Sequence, residues 1–97
     1  QQALSAALAK VNAASYKWNN KEEEEHMRQA LNDSSFTYYP HGKQVWFERK
    51  GTIHAAWQFN IYANEPLYRA NVFVDAATGE ILDEQNLISR VRRIQKK

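Results

Sequence analysis

One stretch of this chain constrains its fold more than any other. Ile53, Ala55, Trp57, Phe59, Ile61 and Ala63 alternate with His54, Ala56, Gln58, Asn60 and Tyr62. Successive side chains of a strand point to opposite faces, so this run predicts a long strand with one apolar and one mostly polar face. A strand of that kind needs partners, and similar patterns flank it. Residues 44–49 predict the strand before it, ended by Lys50-Gly51. Residues 68–75 predict the one after, beyond the Asn64-Glu65-Pro66 break. Residues 36–39 also read as a strand, ended by Pro40. Residues 81–83 read as a short return strand beyond a tight 75–80 hairpin, where Gly79 suits a left-handed position.

The first third changes period. Leu4, Ala7, Leu8, Val11 and Ala14 recur every three or four residues and predict a helix, which Asn12 and Ser15 weaken at its end. Asn20 is a good N-cap for a second helix. Glu22 to Glu25 fill its first turn, where carboxylates meet the positive helix end. Glu24 and Arg28 can pair one turn apart, and Asn32 to Ser35 close the helix. The fold class expected is α+β: an antiparallel meander of four or five strands, with N-terminal helices packed on one face.

Ninety-seven residues suit one domain, placed at 1–88, with 89–97 as a basic tail or linker. Residues 1–89 hold 8 Lys/Arg against all 11 acidic groups, and the last eight residues add Arg90, Arg92, Arg93, Lys96 and Lys97. The sequence pI of about 9.0 is therefore a property of the tail, and no nucleic-acid partner is expected of the body. Leu87, Ile88, Val91 and Ile94 share a helical face, so the tail reads as a short amphipathic helix or a frayed linker. Its composition suits a membrane surface, an acidic partner, or nothing beyond solubility. The start at Gln1-Gln2 reads as that of an excised piece, in which a missing signal peptide says nothing of compartment.

Chemistry has few places to sit. The chain has no cysteine, which removes disulfides, thiolate metal sites and thiol nucleophiles. His26, His41 and His54 show no metal-binding spacing, so neither a metal nor a cofactor is expected. Glu22 and His26 share a helix face and read as a solvated pair. The serines lack a nucleophile elbow, and Gly42, Gly51 and Gly79 are too far apart for a phosphate loop. The chain is therefore read as no enzyme. No apolar run approaches the ~20 residues that span a bilayer. The strand aromatics Tyr38, Trp46, Phe59, Tyr62, Tyr68 and Phe73 fit a covered core plus cross-strand pairs. A protein partner on an uncovered face is the alternative.

One segment is recognisable. Residues 56–62, then 68–82, and above all Phe73-Val74-Asp75-Ala76-Ala77-Thr78-Gly79-Glu80-Ile81, resemble the PepSY-type propeptide domain of thermolysin-like and fungalysin-like secreted metalloproteases. The likeness covers about residues 5–88 and includes the Ala-rich first helix and the 44–47 strand. In that family a strand enters an Asp-Ala-x-Thr-Gly-Glu hairpin and a short strand leaves it. The resemblance implies a non-catalytic module, secreted or in the cell envelope, that inhibits a zinc protease and assists its folding, in cis or in trans. It also implies that the exit segment, Asn86, Leu87 and Ile88, heads for the protease cleft. A free-standing extracytoplasmic protein-binding module of the same fold is the second reading. The chain itself carries no His-Glu-x-x-His.

Overall fold

A computed structural model describes residues 2–87. The expected tail at 89–97 and Ile88 of the exit segment lie outside these described residues. Two N-terminal helices pack against an antiparallel five-stranded sheet, an α+β architecture. The elements run α1 (Gln2–Val11), β1 (Ser15–Tyr16), a short 3-10 turn (Lys17–Asn19), α2 (Lys21–Leu31), β2 (Lys43–Arg49), β3 (Thr52–Glu65), β4 (Tyr68–Asp75) and β5 (Ile81–Asn86). From β2 to β5 the sheet is a simple meander centred on β3 and β4.

Local chemistry accounts for the boundaries. Asn12 leaves α1 at φ 54, a left-handed turn that Asn tolerates. The Asn20 side chain accepts from Glu23 N at 3.0 Å and caps α2. Asn32 ends α2 at φ 55. Lys50 (φ 53) and Gly51 (φ 80) are both left-handed. That is the turn geometry whose twist matches two flanking strands, so β2 leads tightly into β3.

The fifth strand is not the one expected. Residues 36–39 form no strand, because their polar groups are already taken by α2. The Glu24 carboxylate accepts from Tyr38 N and from Thr37 Oγ1, both at 2.8 Å, and Arg28 Nε donates to the Phe36 carbonyl at 2.8 Å. The fifth strand is instead β1, which pairs with the end of β3 through Ser15–Glu65 and Tyr16–Ala63 and leaves the outer side of β2 without a strand among the described residues. Two residues sufficed, too few for a period-two pattern to show. β5 also runs three residues further than expected, to Asn86, because β4 pairs with it as far back as Ala70.

The core is a two-layer contact. Leu4 and Ala7 of α1 sit on Phe59, Ile61, Ala70, Val72 and Val74 of the two central strands. Ile61, Val72 and Val74 are fully buried, and each such side chain stabilises the fold by about 1.5–3 kcal/mol. Ala7, Ala63 and Ala70, all at 0% exposure, let helix and sheet approach closely. The opposite sheet face holds a smaller cluster, Ala56, Phe73 and Leu82 with Val45 and Phe47. Phe47 and Phe73 meet there with ring centroids 4.7 Å apart.

Candidate functional site

The hairpin between β4 and β5 is clipped at its first residue. Asp75 N donates to Glu80 O at 2.8 Å, and Gly79 N donates to Asp75 O at 2.9 Å. The Asp75 carboxylate accepts from Ala77 N at 2.7 Å and Thr78 N at 3.0 Å. Asp folds this turn because its short carboxylate reaches amides two and three residues on. Gly79 stands at φ 80. The other carboxylate oxygen meets His54 Nδ1 at 2.8 Å. That contact first, then the turn amides, hold the Asp75 carboxyl below its ordinary 3.8. Ala76 N also donates to Ala55 O at 2.8 Å, so the turn is stitched to β3.

The exit segment lies at the other end of β5. Asn86 pairs with Ala70 in the sheet, and Leu87 is half-buried just beyond it. Beside them Tyr68 donates its hydroxyl to the Glu84 carboxylate. Burial, then that hydrogen bond and charge, push the Tyr68 hydroxyl up to about 12, while Asn86 pulls weakly the other way. Lys10 of α1 reaches Glu84 at 3.9 Å. The end of β5 is thus tied to β4 and α1 by a small polar cluster.

A cleft opens past the start of α1. Leu4, Tyr39, His41, Gly42, Trp57 and Phe59 line a volume of about 530 Å³. Gly42 lies close against the cleft wall: a Cβ there would stand 2.9 Å from Trp57 Cε3 and 3.0 Å from Phe59 Cε1, so any side chain would make a ring shift. Tyr39 sits edge-on to Trp18 at 5.5 Å, and Trp18 stacks on Tyr16 at 4.5 Å. An aromatic rim therefore runs from β1 to the cleft. Further out, the β2–β3 hairpin carries the most exposed large apolar side chains, Trp46 at 77% and Ile53 at 65%.

These placements separate the residues singled out by sequence. His54 is paired with Asp75, His41 lines the cleft, and His26 is exposed on α2. The three histidines are not brought together. Among the described residues no group of three or more His, Cys, Asp or Glu is placed to hold a metal ion. No helix of the described residues is long and apolar enough to cross a membrane. The strand aromatics divide: Phe59 enters the core, Phe73 pairs with Phe47, and Tyr62 meets Tyr38 edge-on while Arg69 lies 4.6 Å above its ring. The His54–Asp75 contact and the cleft are not visible locally, for the first joins residues brought close by strand register and the second joins α1, the 39–42 segment and β3. The register does contain the first of them: Ala56 opposes Asp75, and His54 lies two residues along on the same face.

No family model, curated protein or solved structure matches the chain.

Proposed function

We propose that this domain is a non-catalytic propeptide-type module that binds a secreted zinc metalloprotease, inhibits it and assists its folding. The observation supporting the reading is the 73–81 hairpin, the segment with the most specific resemblance to PepSY-type propeptide domains. Asp75 and Gly79 have structural roles there that account for their place in the Asp-Ala-x-Thr-Gly-Glu pattern: a carboxylate clip and a left-handed turn. Beyond the hairpin, β5 delivers Asn86 and Leu87 at a sheet edge, where an extended chain can continue toward a partner. On this reading the partner supplies the zinc chemistry and this chain supplies a binding surface. Its place is outside the cytoplasm.

The test adds the purified chain to a thermolysin-type protease and follows peptide hydrolysis. A parallel assay follows recovery of activity when the denatured mature protease is diluted with and without the chain. Inhibition at micromolar excess, or faster recovery, is the expected result. Neither effect at that concentration overturns the proposal.

A second reading has its own observation. Trp46 and Ile53 stand exposed on one hairpin, as anchors of a protein-binding module do. A free-standing extracytoplasmic binding module with another partner would show that surface and no effect on the protease.

A further inference from the structure

The geometry points to the outer edge of β2 as a docking site for an extended acidic segment of a partner protein, which adds there as a sixth strand. The site does not depend on the protease reading, since the chemistry of the edge alone defines the segment.

Among the described residues β2 pairs only with β3, along its whole length from Lys43 to Arg49. Its other edge presents a row of backbone donors and acceptors, the template that added strands use. Trp46, the middle residue, is 77% exposed on the same sheet face as Ile53 and Ala55. Val45 and Phe47 face the other way and are half-buried. An added strand therefore meets apolar side chains on both of its faces.

Charge selects the occupant. The hairpin carries Lys43, Arg49 and Lys50 against Glu48, whereas the rest of the described chain holds five Lys/Arg against ten Asp/Glu. Arg49 reaches Glu80 at 3.2 Å, yet both side chains stay partly exposed. A second copy of β2 paired antiparallel about Trp46 would set Lys43 against Arg49, and like charges directly opposite destabilise a ladder. That symmetric register is thus disfavoured for a second copy. Acidic residues opposite Lys43 and Arg49, with apolar ones opposite Val45 and Phe47, satisfy it. The segment so defined alternates acidic, any, apolar, any, apolar, any, acidic. The edge of β5 carries Asp83 and Glu84 and repels the same segment.

The test titrates the full chain with the blocked heptapeptide ETVYVTE and with its basic counterpart KTVYVTK. The acidic peptide is expected to bind about tenfold tighter at low salt, with the gap narrowing as salt screens it. Amides of residues 43–49 should gain hydrogen-exchange protection, and those of 81–86 should not. Trp46→Lys, at an exposed position, should weaken binding without unfolding the chain. The pair Lys43→Glu and Arg49→Glu should turn the preference toward the basic peptide. Three results overturn the proposal: equal binding of the two peptides, including none of either; protection at 81–86 instead of 43–49; or a concentration-dependent dimer by sedimentation that Trp46→Lys abolishes.

Discussion

The two halves of β3 carry the same alternating pattern and meet different fates. Phe59, Ile61 and Ala63 are 5%, 0% and 0% exposed, while Ile53 is 65% exposed and Ala55 is exposed beside it. The difference is reach. A ten-residue helix is about 15 Å long, whereas fourteen residues of strand extend about 46 Å. One short helix covers only part of such a strand. α1 lies over the half that is flanked by β1 and β4, and the half shared with β2 projects beyond it. Alternation therefore states which side chains share a face. It does not state which part of that face is covered.

The largest effect expected from this contrast is at Ile61. Ile61→Ala should cost about 3 kcal/mol by loss of transfer energy and the cavity left behind. For a domain of this size that lowers Tm by roughly 12–24 °C in a thermal melt. A loss below about 1 kcal/mol would mean that the covered half of β3 is no better packed than the projecting half.

Glu24→Ala comes next. Glu24 is 7% exposed and gathers Thr37 Oγ1, Tyr38 N and Arg28. Its removal strands a backbone donor and should cost about 2 kcal/mol. Amide exchange should speed at Tyr38 well before it speeds in β3. Uniform speeding across both would show that the 36–39 segment is not a separate layer held by α2.

Gly42→Ala should cost about 1–2 kcal/mol, because the new methyl group must move Trp57 or Phe59. A shift in tryptophan fluorescence should accompany the loss. An unchanged spectrum and melt would mean that the cleft wall is soft.

Asp75 gives a pH effect. Its folded carboxyl lies below the ordinary 3.8, so its contribution is fully present above about pH 5. That contribution is lost as pH falls through 3.8 toward the lower folded value. Asp75→Asn should be less stable than the parent at pH 6, and the gap should close by pH 2 in denaturant melts. A gap independent of pH would assign the role of Asp75 to packing instead of charge. The smallest effect belongs to Ile53. Ile53→Ser should change stability by no more than about 0.5 kcal/mol, since water already reaches that side chain.

Legibility followed the range of the interactions. The expected and observed ends of β4 coincide, because Tyr68 to Asp75 lies between a proline-containing turn and the turn from Asp75 to Gly79. The Asn20 cap and the Glu24–Arg28 pair, at 3.4 Å, were equally local. The 36–39 segment has a strand composition, yet a carboxylate twelve residues upstream of Phe36 captures its polar groups. Propensity cannot register such a competitor. β1 leaves no mark in the sequence because two residues carry no period, and its place depends on the far end of β3.

The candidate site divides in the same way. Asp75 and Gly79 stand where their turn chemistry puts them, whereas Asn86 is drawn into the sheet by its pairing with Ala70. The cleft of Leu4, Tyr39, Gly42 and Trp57 arises only from the folded chain, which brings α1, the 39–42 segment and β3 together. The sequence by itself determined the α+β class, the hairpins and the side chains that share each face, since turns and alternation are set by near neighbours. Tertiary structure alone decided which stretch of the apolar face is buried and which stands open with Trp46 and Ile53, because that depends on where a short helix comes to rest on a longer strand.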